Sequence, residues 1–258
     1  MIADTKQAKR KNGAEDLLLL LTMPQKLLII IPCYNEQASL PALLTEVNAL
    51  NLPGYATTPL VVNDCSTDDT CAVAKQHKVK VLDLPINLGI GGAVQSGLLY
   101  AFTNNFDLAV QMDGDGQHPP EELIKLLFCR ETTQANLVIG SRFIERRGFQ
   151  SSFTRRLGIG YFYCLNHFFT GKQIFDSTSG YRLFDRKAIV LAANYYPDDY
   201  PEPESLVYFA RAGLRIQETP VAMDGRAGGQ SSIRNLTSLY YCIKVSIAMF
   251  FSAIRKIR

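Results

Sequence analysis

Nowhere does this chain carry 18 consecutive apolar residues, so no segment reads as a membrane-spanning helix. A secretory leader is missing too, because the leucine run at 17–21 is too short and follows Glu15 and Asp16. The cysteines, Cys33, Cys65, Cys71, Cys129, Cys164 and Cys242, include no C-x-x-C pair and no zinc-knuckle spacing, which leaves reduced, mostly buried thiols and an intracellular chain. Nucleotide signatures of the commonest kinds are absent. The turn Gly89-Ile90-Gly91-Gly92 has Val94 where G-x-G-x-x-G needs its third glycine, and no G-K-[ST] follows, so dinucleotide binding and P-loop hydrolysis are disfavoured. A calcium loop opening at Asp113 would need Gly at its sixth position and Glu at its twelfth, where this sequence has His118 and Ile124.

What is present fits one compact enzyme domain. A chain of 258 residues, 47% hydrophobic and 20% charged, can bury a full core without splitting. Residues 1–22 read as a flexible N-terminal extension, 23–230 as the catalytic domain and 231–258 as an amphipathic helix. The net charge of +3 is confined to that tail, where Arg234, Lys244, Arg255, Lys256 and Arg258 stand without any acid. A modest charge placed there argues against nucleic-acid binding. Leu236, Leu239, Ile243, Ile247, Phe250 and Ile254 recur at helical spacing beside the basic residues. Two readings of this helix stand side by side: it lies on a membrane surface, or it packs on the domain.

Strand and helix signals alternate along the chain. Residues 26–31 form an apolar strand ended by Pro32, and 39–50 carry helical periodicity; 60–63 and 79–84 repeat the strand pattern, each followed by a helix, and 108–112 is a fourth strand. Alternation of this kind predicts a mostly parallel, Rossmann-like α/β sheet with helices on both faces, whose ligands bind at the carboxyl ends of the strands. The loops rich in chemistry all fall on that edge.

Asp113-Gly114-Asp115, directly after the fourth strand, is the strongest of them. Two carboxylates at the end of a buried strand repel each other unless a hard divalent ion, shared with a phosphate-bearing substrate, neutralises them. The plainer reading is a polar turn whose aspartates cap the helix beginning near Pro119. Convergence with the other loops favours the nucleotide-diphosphate site.

The motifs PCYNE at 32–36, VVNDCSTD at 61–68, NLGIGGA at 87–93, MDGDGQHPPE at 112–121, GSR at 140–142 and DSTSGYRLF at 176–184 occur in this order. Together they resemble family 2 glycosyltransferases with the GT-A fold, and within them the dolichyl-phosphate and undecaprenyl-phosphate sugar synthases. The resemblance implies that Pro32, Tyr34, Glu36 and Asp64 bind base and ribose, that Gly91 and Gly92 lie along the donor, and that Asp113, Asp115 and Gln117 hold Mg2+ or Mn2+ on the diphosphate. Asp115 would thereby be catalytic. Arg226, in RAGGQSS, resembles an R-x-x-G-x-S diphosphate contact completed by Ser231 or Ser232, against the alternative of a solvated loop arginine. Asn63 departs from the family's frequent Asp before Asp64.

The acceptor divides the readings further. A lipid phosphate arrives ionised and needs arginines, for which Arg142, Arg155, Arg156 and Arg182 are the candidates, Arg142 and Arg156 matching the synthases best and Arg182 having a structural role as its alternative. A sugar hydroxyl needs a base, and Glu204 in Pro201-Glu202-Pro203-Glu204, before a helix expected at 205–212, is either that base or a helix-start carboxylate. The expected activity is inverting transfer from a nucleoside-diphosphate sugar to polyprenyl phosphate, by a protein peripheral on the cytoplasmic face of the cell membrane, for cell-envelope glycan synthesis. Extension of a polysaccharide or lipid-linked sugar through a hydroxyl is the alternative, and a non-catalytic nucleotide-sugar-binding subunit is a third. Since synthases of this kind commonly carry transmembrane helices, a small membrane protein partner would suit this chain as its anchor.

Overall fold

The computed structural model describes residues 23–144, 153–198, 201–225 and 237–255, with the backbone alone at 153–159 and 237–241. The expectation for residues 1–22 lies outside the described residues. A seven-stranded sheet in the order β3-β2-β1-β4-β6-β5-β7 organises the chain. Its first half comprises β1 (Gln25–Cys33), β2 (Tyr55–Asn63), β3 (Lys80–Asp83) and β4 (Leu108–Gln111), all mutually parallel, with α1 (Leu40–Ala49), α2 (Thr70–Gln76) and α3 (Gly89–Thr103) between them. A short turn of 3-10 helix, Pro120–Glu122, then leads into α4 (Leu123–Thr133). The rest comprises β5 (Leu137–Ser141), α5 (Phe153–Thr170), β6 (Arg182–Asp185), α6 (Arg186–Asn194), α7 (Pro201–Arg211), β7 (Ile216–Pro220) and α8 (Thr237–Ile254).

The sheet is buried on both faces, which is why β1 reads as an unbroken apolar run. Leu27, Ile29 and Ile31 pack with Leu43 and Leu44 of α1 and Leu126 of α4. Leu28 and Ile30 point the other way, onto Val94 and Leu98 of α3 and Ile189 of α6. β6 runs antiparallel to both neighbours, β4 and β5. The loop entering β6 therefore arrives at the edge where the parallel strands end.

Two element boundaries differ from the sequence expectation. β2 starts at Tyr55, five residues before the expected strand, and includes Pro59. The missing N–H of Pro59 is tolerated because β3 pairs only with Leu60 to Asn63, so this part of β2 has an open side. Similarly, α7 begins at Pro201 rather than at 205. Prolines in a first turn sacrifice only N–H groups that have no intrahelical partner.

α8 packs on the domain with one face and leaves the other exposed. Val245 and Met249 are fully buried against Phe162 of α5 and Val207 of α7. Tyr161 and Ser246 join hydroxyls at 2.6 Å, and Arg211 donates to the carbonyls of Ser252 and Arg255 at the helix end. On the opposite face Ile243, Ile247, Phe250, Phe251 and Ile254 remain 52–62% exposed. The expected stripe is thus the outward one, with Leu236 and the Leu239 side chain outside the described residues. No helix among the described residues is long and apolar enough to cross a membrane.

Candidate functional site

The loops after β1 and β2 are clasped together by side-chain-to-backbone bonds. Asn35, with a left-handed φ of 58°, accepts the Thr67 N–H at 2.8 Å, and its own N–H donates to Ser66 Oγ at 3.0 Å. The Glu36 N–H donates to Thr70 Oγ1 at 2.9 Å, and that of Gln37 to Asp68 Oδ2 at 3.1 Å. Beside this clasp Pro32 is buried and Tyr34 is 50% exposed, so the ring offers a face to a ligand. Asn63, the departure noted above, donates to Asp83 Oδ1 at 2.7 Å and so ties β2 to β3.

Asp64 is buried and accepts from the Leu88 N–H at 2.7 Å and the Gly89 N–H at 2.9 Å, one on each carboxylate oxygen. It therefore caps the start of α3 from another strand, where the helix dipole favours negative charge. Gly91 makes a tighter demand. A Cβ there would meet the carbonyl oxygens of Pro197 and Asp198 at 2.1 and 2.2 Å, and the Gly91 N–H donates to Asp198 at 3.1 Å. Gly91 thus admits the 197–198 backbone, and a Cβ on Gly92 would strike Leu88. Gly91 serves the approach of the 197–198 backbone and Gly92 the packing of Leu88, two contacts that their spacing did not reveal.

The acidic loop is fastened to the clasp. Ser39 Oγ lies 2.7 Å from Glu36 Oε2 and 2.9 Å from the Gly114 carbonyl, and shares its proton between them. Asp113 is partly exposed and accepts from Gln111 Nε2 at 3.0 Å. Asp115 is buried and accepts the Gln117 N–H at 3.0 Å. His118 Nδ1 takes the Asp113 N–H at 3.0 Å. Sequence reasoning used His118 only to exclude a calcium loop. Gly180, in the loop entering β6, comes so near that a Cβ would lie 3.0 Å from Asp113 Oδ2.

The same incoming loop carries Asp176, which is fully buried and gripped by Arg142 through Nε and Nη2, each at 2.7 Å. Glu218 of β7 supports the pair by accepting the N–H groups of Phe175 and Asp176, both at 2.7 Å. Burial pushes the Glu218 carboxyl above its ordinary range, with those two N–H groups pulling it back. Arg182 is a correction to the acceptor set. Fully buried in β6, its guanidinium bonds the carbonyls of Ser177, Ser179 and Glu202 and the hydroxyl of Ser205, so it braces α7 against the sheet. Arg156 lies in α5, its side chain outside the described residues.

Glu204 is partly buried near the start of α7. Tyr195 donates its hydroxyl to Glu204 Oε1 at 2.9 Å. Burial and this carboxylate push the Tyr195 phenol up to about 12. The other acid of that segment, Glu202, was not singled out, and it interacts with Asp113 and Arg142. Burial raises the Glu202 carboxyl, Arg182 opposes the rise, and Asp113 adds to it. Both acids lie in the first turn of α7.

Asp113, Asp176 and Glu202 all lie within electrostatic reach of Arg142, so carboxylates gather around this cation among the described residues. A diphosphate would add further negative charge and needs a cation to enter. Among the described residues no group of three or more His, Cys, Asp or Glu side chains is arranged to hold a metal ion. Two carboxylates from one loop nonetheless fit Mg2+ or Mn2+, which favour oxygen and complete their shells with substrate phosphates and water. Gln117 shares that loop, and its carbonyl receives the Asp224 N–H at 3.1 Å. The chain after β7 is thereby led to the acidic loop. Arg226, Ser231 and Ser232 lie outside the described residues.

Residues 28–190 match the family profile described as Glycosyl transferase family 2. An undecaprenyl-phosphate mannosyltransferase of Micrococcus luteus is 33% identical over 217 residues, 81% of this chain and 87% of that one. A polyprenol monophosphomannose synthase of Mycolicibacterium smegmatis is 31% identical over 188 residues, covering 70% and 69% of the two chains. Among solved structures, mannosyl-3-phosphoglycerate synthase from Rubrobacter xylanophilus superposes with a TM-score of 0.67 at 18% identity, over 91% of this chain and 77% of that one. Glucosyl-3-phosphoglycerate synthase from Mycobacterium tuberculosis, in complex with Mn2+, UDP and glucosyl-3-phosphoglycerate, gives 0.63 at 20% identity, over 89% and 80%.

Proposed function

From the premise that this chain belongs to glycosyl transferase family 2 and has the GT-A fold, we propose that it moves a sugar from a nucleoside diphosphate to a polyprenyl phosphate at the inner face of the cell membrane. The observation that carries this reading is the acidic Asp113-Gly114-Asp115 loop at the sheet edge, held against Glu36 through Ser39. The relatives named for undecaprenyl-phosphate and polyprenol acceptors support the acceptor class.

In this reading Tyr34, Glu36 and Asp64 edge the nucleotide pocket, with Pro32 as its floor. Asp113, Asp115 and Gln117 hold Mg2+ or Mn2+ on the diphosphate, a choice supported by the Mn2+ and UDP in the M. tuberculosis neighbour. Bound there, the metal supplies positive charge where the leaving nucleoside diphosphate becomes more negative. Arg226 with Ser231 would complete the contact from the segment that follows Asp224. A phosphate acceptor needs no base. Arg142, fixed by Asp176, and Arg156 orient it opposite the leaving group, so that one displacement inverts the anomeric carbon. The exposed apolar face of α8 brings the site to the lipid by lying in the headgroup region.

The test is incubation of the purified protein with UDP- and GDP-sugars and undecaprenyl phosphate, with and without EDTA. Lipid-linked sugar and free nucleoside diphosphate should appear in equal amounts and vanish with chelation. Turnover only with hydroxyl acceptors would shift the reading to polysaccharide extension, which the raised Glu202 carboxyl beside the cleft would serve as base.

A further inference from the structure

His118 has no part in the reaction just proposed, yet it is fixed from several sides beside the acidic loop. The ring is 4% exposed. Because its Nδ1 accepts the Asp113 N–H at 3.0 Å, a neutral ring must carry its proton on Nε2. That Nε2 faces Asp113 Oδ2 at 3.8 Å, while Gln111 Nε2 donates to the other oxygen, Oδ1, at 3.0 Å. Below the ring lies Tyr181, with centroids 4.8 Å apart and planes 16° from parallel. Tyr181 is itself fully buried and donates its hydroxyl to the Pro119 carbonyl at 3.1 Å. The histidine therefore bonds the main chain of Asp113 while its other nitrogen stands 3.8 Å from the carboxylate of the same residue, beyond hydrogen-bonding distance.

We propose that His118 is a positioning residue for Asp113, locking its backbone so that the carboxylate is aimed at a divalent cation before the cation arrives. This rests on the reading of Asp113 as a metal ligand. By accepting the Asp113 N–H, the imidazole fixes the loop at the residue whose carboxylate lies beside the ring. Partners of this kind, behind the ligands themselves, tune metal affinity by about 10- to 100-fold. Gly180 leaves the space on the far side of Asp113 that a larger residue would fill.

Mn2+ binding, followed by the loss of its free EPR signal in the presence of UDP, tests the inference on the full chain. His118→Phe keeps a ring on Tyr181 and removes both nitrogens. It should weaken Mn2+ binding by about 10-fold or more, with metal-free UDP affinity within about 2-fold of wild type. Equal Mn2+ affinity in the variant and wild type overturns the inference while leaving the metal reading intact. Wild type that takes up no Mn2+ even with UDP overturns both. Should His118→Phe prove unfolded by circular dichroism, His118→Asn carries the same test, with weakened Mn2+ binding expected and unchanged binding overturning it.

Discussion

Arg142 holds Asp176 in a two-pronged grip, Nε on Oδ2 and Nη2 on Oδ1, while its backbone N–H adds a third contact to Oδ2 at 3.0 Å. Asp176 has no access to solvent, so the pair must be formed for either charge to stay where it is. Asp176→Asn leaves the guanidinium without its counter-charge and should cost about 3–5 kcal/mol, the usual effect of breaking a buried pair. Urea unfolding of the two proteins measures it. The acceptor KM should rise with it, since Arg142 loses its aim.

Asp113→Asn and Asp115→Asn should each lower transfer by about 100-fold or more, the scale for removing one electrostatic stabiliser of a developing anion. Neither should lower the melting temperature of the ligand-free protein, because each removes one of several crowded carboxylates. A variant that turns over normally at saturating Mn2+ would remove its aspartate from the metal site.

Glu202→Gln separates the two acceptor classes. Polyprenyl phosphate should remain a substrate, whereas a hydroxyl acceptor should lose about 100-fold or more. Stability gives a second readout. A carboxyl raised in the folded state favours folding while protonated, and that contribution is lost as pH climbs from the ordinary glutamate value through the raised one. Glu202→Gln should therefore melt above wild type at neutral pH, the gap closing below about pH 4. A variant less stable at neutral pH would show that Arg182's attraction outweighs burial.

Gly91→Ala drives a methyl group onto the carbonyls of Pro197 and Asp198, which lie 2.1 and 2.2 Å from its Cβ position. Rigid backbone on the other side of the contact cannot yield as a flexible side chain would. A loss of about 1–3 kcal/mol is expected from thermal unfolding, as for overpacked cores. An unchanged melting temperature would show that the 197–198 backbone moves aside freely.

The two faces of α8 predict opposite behaviour. Phe250→Ser, on the exposed face, should leave the melting temperature unchanged and weaken sedimentation with anionic vesicles. Met249→Ala, on the packed face, should instead cost about 2–5 kcal/mol. Equal vesicle binding by Phe250→Ser and wild type would remove the lipid role from that face.

Much of this was legible in the sequence for physical reasons. β1 and β4 are buried on both faces, so their apolar runs are uninterrupted, and the acidic loop stands out because charge follows directly on a core strand. Elements whose meaning depends on a partner were not legible. Pro59 hid the first half of β2, since only the shortness of β3 makes a proline acceptable there. The prolines before Glu204 hid the true start of α7, and with it the choice between Glu202 and Glu204. The sequence left Arg182 between an anion contact and a structural role because its four acceptors come from residues 177–205, brought together only by folding. A charge embedded in the strand Arg182–Asp185, beside Leu183 and Phe184, was the hint that it would be consumed internally.

The reversal of β6 has a consequence for how the two substrates can be tuned. Had this strand run with its neighbours, its entrance would open at the rear of the sheet, and Asp176 and Gly180 would sit a strand's length from Asp113. As built, one side of the cleft is made by chain leaving the sheet and the other by chain returning to it. Insertions in the returning chain can therefore reshape one wall while the loops that leave the parallel strands stay as they are.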